Sequence, residues 1–361
     1  MPSTSAPAAD ALVERLSAAF AGALDLACIY IGHRLGLYEE LQRGARTPGA
    51  LAAALGLDER YVREWLEQQA VTGLLGVDDD AAPEAERSYH LPEPHAEVLL
   101  DQDSRRFSAP NGRALVSMID ALPDVLDAFR TGGGVRYARY GNDLRESVSA
   151  WARATYPNVL GSEWLPAMPD IDARLRAAPP ARVADVACGS GWSTLSIARA
   201  YPTVTVDGLD LDAESIEAAR ATLHGSGLED RVAFAVRDAA DPNLTGRYDL
   251  VTIFEALHDL SDPVGALRAA RALLSPGGVV LVGDGKTAET FRAPGDESER
   301  VRYGCSVLHC LPVGMANQPS AGTGTVMRPG TVRAYARAAG FARVDVLPVD
   351  DDAWRFYQLT P

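Results

Sequence analysis

From Asp10 onward, apolar residues recur every three or four positions, through Leu12, Leu16, Phe20, Leu24 and Ala27. That spacing predicts a helix with Asp10 as its N-cap. A second helix is expected to end near Gly36. Next, a helix opened by Pro48, a turn from Gly56 to Asp58 and a helix over Glu59–Val71 stopped by Gly73 spell a helix-turn-helix. The short apolar runs LLGV (residues 74–77) and SYHL (residues 88–91) flank the acidic loop DDDAAPEAE and read as a two-stranded wing. Residues 11–100 are thus expected to form a helical winged-helix domain behind a disordered tail over residues 1–10.

The pattern loosens over residues 101–165, expected to be a helical linker and lid. Three consecutive glycines, Gly132 to Gly134, precede Tyr137 and Tyr140 there, and they suit either a flexible connection or a lid whose rings close over a ligand. The stretch with Trp151, Tyr156 and Trp164 has helical periodicity and reads as core. From residue 166 onward, strands and helices alternate: ARVADVA, VTVDGLDLD, VAFAVRDAA, YDLVTIF and GGVVLVGD are separated by helical runs, and VDVLPV and WRFYQLT close the chain as a strand pair. Such alternation predicts an α/β fold, a doubly wound and mostly parallel seven-stranded Rossmann-like sheet with helices on both faces. Ligands of such sheets bind beyond the carboxyl ends of the strands.

Composition narrows the partners. The chain has 361 residues, 47% hydrophobic, with a net charge of −15, so its averaged field repels phosphate polymers and anionic membranes. A winged helix invites a DNA-binding reading, yet residues 1–100 carry seven arginines, no lysine and sixteen acids. Neither nucleic acid nor membrane is an expected partner, and no apolar run reaches the roughly 20 residues a membrane helix needs. The four cysteines, far apart except for Cys305 and Cys310, read as reduced thiols, and the first ten residues match no targeting segment, so a cytoplasmic protein is expected.

The strand ends carry the candidate chemistry. Asp185 lies in the first strand, and Gly189 and Gly191 lie in the turn after it, where missing side chains let a ligand approach the backbone. Asp210 ends the second strand, placed to accept both hydroxyls of a ribose, and Asp238 ends the third, placed to accept from an adenine amino group. Each aspartate alone could be a helix cap; three at successive strand ends favour a nucleoside. The continuation Gly191, Trp192, Ser193, Thr194 argues against a dinucleotide.

In this order the motifs resemble those of class I S-adenosylmethionine-dependent methyltransferases, over roughly residues 165–361. The winged-helix front and the segment HDLSD after the fourth strand sharpen the resemblance to small-molecule O-methyltransferases of plants and of bacterial natural-product pathways. It implies S-adenosyl-L-methionine as cofactor, a small-molecule acceptor, a place in secondary metabolism and a homodimer formed through the front domain. The implied cofactor residues are Asp185, Ala187 (where the family often has Gly), Gly189, Gly191, Asp210, Leu211, Asp238, Ala239, Phe254 and Tyr140. The histidine of the family's HDWSD segment, which takes the proton of the acceptor hydroxyl, maps onto His258, with Leu260 in place of tryptophan.

The chemistry supports that role independently. Methyl transfer from a sulfonium is an in-line displacement, and a hydroxyl attacks poorly until it loses its proton. Histidine accepts a proton near neutral pH, and the capping position beside His258 is already filled by Asp262 before Pro263. Asp259, Glu255 or Asp284 could orient the imidazole. The resemblance implies that the run GCSVLHCLPVGM, after the fifth strand, lines the acceptor pocket, with Cys305, Cys310 and Met315 as apolar wall and His309 as the reserve base, and Tyr137 of the lid is a further candidate for contact with the acceptor. No metal is expected, because three or four converging ligands are needed and no Cys-x-x-Cys occurs. Three alternatives stay open: an N- or C-methyltransferase relying on proximity, a DNA-binding regulator, and a methyltransferase scaffold without chemistry.

Overall fold

The computed structural model describes residues 6–361. These form two compact units, the first made of the residues up to Ile119 with Asn142–Ala154, the second of Asp120–Gly141 with Thr155–Pro361. The stretch expected to be a separate linker is therefore shared out between the two units.

The first unit opens with one continuous helix, Ala6–Arg34, where two helices were expected. Asp10 lies inside it and is not its cap, and residues 6–10 are helical; the rest of the expected tail lies outside the described residues. The chain contains no breaker strong enough to split this helix, since Gly22 faces open space and costs only about 1 kcal/mol in helix propensity. Gly36, at φ 71°, then turns the chain into Leu37–Gln42. The expected helix-turn-helix follows, Pro48–Leu55 capped by Thr47 and Glu59–Val71 capped by Asp58, whose carboxylate accepts from the N–H groups of Arg60 and Tyr61. Strands β1 (Gly76–Val77) and β2 (Tyr89–His90) pair antiparallel as the wing. Tyr38, Leu41, Leu51, Leu66 and Tyr89 form its core.

The second unit holds seven further strands: β3 (Arg182–Val186), β4 (Thr205–Asp210), β5 (Val232–Val236), β6 (Tyr248–Phe254), β7 (Leu274–Gly285), β8 (Arg343–Val346) and β9 (Trp354–Thr360). They pair in the order β5-β4-β3-β6-β7-β9-β8, parallel except for β9, which runs against both neighbours. The sheet belongs to an α/β fold of the doubly wound, mostly parallel kind that alternation predicts. Continuous apolar runs explain why: in β6, Val251 and Ile253 are fully buried, as are Val280 and Val282 of β7. Strands covered on both faces need this composition, and each such side chain contributes about 1.5–3 kcal/mol.

Register places the site. Val186 of β3 pairs with Leu209 on one side and Ile253 on the other, and Phe254 pairs with Gly283. The carboxyl ends of β3, β4, β6 and β7 are thus level, and the chain reverses its winding between β3 and β6. That reversal opens the crevice in which sheets of this kind bind ligands.

Candidate functional site

The turn after β3 is built on a buried carboxylate. Ser193 and Thr194 donate to Asp185 Oδ2 at 2.6 and 2.7 Å, and Thr252 of β6 donates to Oδ1 at 2.7 Å. Asp185, expected at the cofactor, is 1% exposed. Burial pushes its pKa up and the hydroxyls pull it back. Its role in this structure is to lock the turn against β6 and the helix Trp192–Ala200.

The turn needs unusual backbone. Ala187, Gly189 and Gly191 have φ of 57°, 53° and 81°, a left-handed conformation that costs a side-chain-bearing residue about 1–2 kcal/mol. The two glycines serve different ends. A Cβ on Gly191 would press into the Phe234 ring, whereas one on Gly189 would meet nothing within 4 Å. The Gly189 backbone therefore borders open space, as a cofactor cradle requires. Its N–H donates to Asp210 Oδ2 at 2.8 Å, and the Asp212 N–H donates to Oδ1 at 2.8 Å. Each oxygen of this half-buried carboxylate keeps acceptor capacity for a second donor. Burial raises its pKa against these two N–H groups.

Beside it, Leu211 is 61% exposed, an apolar surface without a cover. Asp238, two residues past β5, is exposed and accepts the Ala240 N–H at 2.9 Å, while Ala239 packs into the sheet core. Phe254 ends β6 with its ring 5.7 Å from that of Tyr156. Tyr156 is core, as expected: it is buried with its ring against Trp164, Phe254 and Trp354.

Past β6 the chain turns sharply. Glu255 takes φ 48° and Leu257–Asp259 form one 3-10 turn, presenting His258 with only 2% of its surface exposed. Its Nδ1 lies 2.9 Å from each carboxylate oxygen of Asp284 on β7. Of the three carboxylates that sequence offers as orienters, Asp284 is the one that holds the imidazole. Asp262 caps the next helix by accepting the Gly265 N–H, as expected. Burial by itself pushes the His258 pKa down; the charges of Asp284 and Asp259 outweigh it and hold the imidazole well above the ordinary histidine range. Glu255 is pushed up by burial and by Asp284, with His258 and Arg302 opposing.

The wall expected for the acceptor is a π-turn, Ser306–Cys310, between the helices Glu297–Cys305 and Leu311–Gly314. Turns of this type recur at functional sites. His309 is buried there, its Nε2 without a hydrogen-bond partner and its pKa lowered by burial. The Tyr140 ring meets it edge-on at 4.7 Å, and Tyr137 lies 5.8 Å away. Tyr140, expected among the cofactor residues, is fastened to this wall by its hydroxyl, which donates to the Leu308 carbonyl at 2.7 Å.

The triple glycine explains how. Gly132 caps the helix Leu122–Thr131 at φ 72°, and a Cβ on Gly134 would collide with the backbone of Pro312, Met315 and Ala316. These glycines hold the two tyrosines close to the wall. Ser261 fastens the wall to the His258 turn by donating to the Gly314 carbonyl at 2.7 Å. Cys305 lies near the charges of Arg302 and Glu255, and Met315 lies toward Gly322.

Comparison with known proteins fits this geometry. The chain is 31% identical over 187 residues to a ubiquinone biosynthesis O-methyltransferase of Xanthomonas axonopodis pv. citri (strain 306), covering 51% of this chain and 72% of that protein. The chain belongs to the S-adenosylmethionine-dependent O-methyltransferase family. Residues 184–280 of this methyltransferase match the family described as Methyltransferase domain, and residues 22–100 match the Rv2258c-like winged HTH domain. It is also 29% identical over 290 residues to the mitomycin biosynthesis 6-O-methyltransferase of Streptomyces lavendulae, covering 78% of this chain and 80% of that one. The fold of PigF with SAH superposes with a TM-score of 0.73 at 18% identity, covering 96% of the methyltransferase and 99% of PigF.

Three elements of the methyltransferase's site lay outside sequence reasoning. Thr252 is one; a lone polar residue in an otherwise apolar buried strand was its signal. Arg302, whose Nη1 is 3.7 Å from Glu255 Oε1, gave none, being 47 positions further along the chain. The third is the closeness of Cys310, expected only as apolar wall, to His258. Among the described residues, no helix is long and apolar enough to cross a membrane.

Proposed function

We propose that this methyltransferase acts on a hydroxyl of a small-molecule acceptor, with His258 as the general base. The observation that carries the reading is the hydrogen bond from His258 Nδ1 to Asp284 at 2.9 Å. With its Nδ1 proton committed to a carboxylate, the imidazole has only Nε2 left to receive a proton. The relatives named as O-methyltransferases support an oxygen acceptor.

The residues present suit S-adenosylmethionine: the open backbone at Gly189, the acceptor capacity of Asp210 for a ribose, Asp238 for a base edge, and Leu211 and Phe254 as apolar surface. When bound, the cofactor supplies a methyl group on a positively charged sulfur. The chain's own work is to hold the acceptor beside the wall of Tyr137, Tyr140 and His309, exclude water by burial, and accept the acceptor's proton at Nε2.

We further infer that the amino-terminal unit is a dimerisation module. Leu16 and Phe20 of its first helix are 60% and 68% exposed, and an apolar stripe of that size marks an interface. The DNA-binding alternative loses support from the same unit, because Arg60, Arg63 and Arg87 already pair with Glu64, Glu84 and Glu67. Phosphate contacts would have to break those pairs first.

The test is turnover with labelled methyl donor on hydroxyl acceptors, wild type against His258→Ala, with S-adenosylhomocysteine binding as the fold control. A loss of at least about a hundredfold in kcat with unchanged binding is expected. Full turnover of His258→Ala on a hydroxyl would sink the assignment, and failure of any adenosyl ligand to raise the Tm would sink the cofactor site.

A further inference from the structure

Cys310 and His258 are 52 positions apart in the chain, yet the fold brings them together with Asp259. One ligand atom from each of the three lies within 4.8 Å of the others. The environment is that of a metal site in three respects. The donors are an imidazole nitrogen, a thiol sulfur and a carboxylate oxygen, the mixed set that zinc-type cations take and that magnesium and calcium do not. The imidazole is held from behind, Nδ1 on Asp284, the carboxylate–histidine arrangement that turns the Nε2 lone pair toward a metal. Finally, Asp259 Oδ1 is buried with no hydrogen-bond partner and stands 3.3 Å from His258 Nε2, a contact without hydrogen-bond geometry.

We infer that His258, Asp259 and Cys310 form a binding site for a borderline divalent cation such as Zn²⁺, and that its occupation inhibits methyl transfer. Donors around a tetrahedral ion stand about 3.5 Å apart for bonds of about 2.0–2.3 Å. The present spacing closes to that with side-chain shifts on the order of 1 Å, small for a turn and a neighbouring π-turn. On binding, the Cys310 thiol and the protonated His258 Nε2 each give up a proton to solvent, and three protein ligands leave the fourth position open. Inhibition follows because the metal takes the Nε2 lone pair that proton abstraction needs; this half of the inference rests on His258 being the base.

The test uses the full chain, freed of metal by a chelator and titrated with Co²⁺ as a spectroscopic probe, then with Zn²⁺. One equivalent of Co²⁺ is expected to give a thiolate-to-cobalt charge-transfer band that Zn²⁺ abolishes. Cys310→Ala should lose the band, and Asp259→Asn should weaken binding by about tenfold or more. S-adenosylhomocysteine binding reports that both variants are folded. Zn²⁺ should stop turnover at the same stoichiometry, reversed by the chelator. Absence of the band in wild type, or an undiminished band in Cys310→Ala, overturns the site. A band that forms while turnover continues supports the metal site and overturns His258 as the base, so the two failures are told apart.

Discussion

Replacing Asp284 by Asn tests the reading of His258 most sharply, because it keeps the shape of the site and removes one charge. In the structure both carboxylate oxygens stand 2.9 Å from Nδ1. A carboxylate this close to a buried imidazole favours its charged form, and with the charge of Asp259 it holds the His258 pKa above the ordinary range against the opposing effect of burial. Two consequences follow. The amide can turn either its oxygen or its nitrogen to Nδ1; the nitrogen side forces the imidazole proton onto Nε2 and disables the base. In Ser-His-Asp triads the same substitution lowers kcat by about four orders of magnitude, and a loss of two to four orders is expected here on those grounds.

The second consequence is in the pH profile. A protonated imidazole takes no proton, so the wild-type kcat/KM on a hydroxyl acceptor should climb as pH rises through a His258 pKa held above its ordinary value of about 6.5. In Asp284→Asn that limb moves to lower pH while the plateau falls. The assay is labelled-methyl turnover across the pH range, with S-adenosylhomocysteine affinity measured alongside. The fall should appear in kcat more than in KM. A variant whose plateau and limb both match wild type, with cofactor binding intact, refutes the orienting role of Asp284 and with it the argument for Nε2.

The remaining predictions concern stability and assembly. Thr252→Val leaves one oxygen of the buried Asp185 without its 2.7 Å donor, which should cost about 1–3 kcal/mol and lower the Tm in a thermal melt. Gly191→Ala combines a φ of 81° with a Cβ driven into Phe234; a loss exceeding the about 1–2 kcal/mol of backbone strain alone is expected in denaturant unfolding. Phe20→Asp, on a residue 68% exposed, should leave helix content unchanged by circular dichroism and convert a dimer to a monomer in sedimentation. A wild type that already sediments as a monomer excludes the dimerisation module.

Much of the fold was legible in the sequence because the second unit is built from local signals. Apolar runs of strand length, glycine turns and acid-capped helices each announce themselves within a few residues, and a parallel sheet leaves few ways to assemble them. The places of Asp210 at the end of β4 and of Asp238 just past β5 were legible for the same reason, since position along a strand fixes position along the sheet edge. Illegible were the partners chosen across strands. Asp284, Asp259 and Glu255 are equal candidates in one dimension, and only the register of β6 against β7, with Phe254 beside Gly283, decides for Asp284. The packing of Tyr140 against His309 was not legible, because three glycines can mean freedom or close approach. At Gly134 the meaning is close approach, set by a wall nearly 180 positions away. The first helix misled in another way. Its stripe of Leu12, Leu16, Phe20 and Leu24 was read correctly as apolar, but all four are exposed, and periodicity says nothing of what covers a face.

The carboxylates around His258 bear on what kind of atom receives the methyl group. An uncharged amine attacks through a lone pair it already has, and a base beside it contributes nothing before attack. A phenol-like hydroxyl has an ordinary pKa of about 10, so passing its proton to an imidazole of about 6.5 is uphill by about 5 kcal/mol. Each unit by which Asp284 and Asp259 raise the imidazole removes about 1.4 kcal/mol of that climb. The cost is that less of the imidazole is neutral at pH 7, which an enzyme serving an amine would bear for no return. A buried histidine held basic by Asp284 and Asp259 therefore suits a nucleophile that must lose its proton before it attacks, if His258 is the base proposed above. An amine analogue of the acceptor should accordingly be methylated by wild type and His258→Ala at similar rates, while the hydroxyl acceptor separates them.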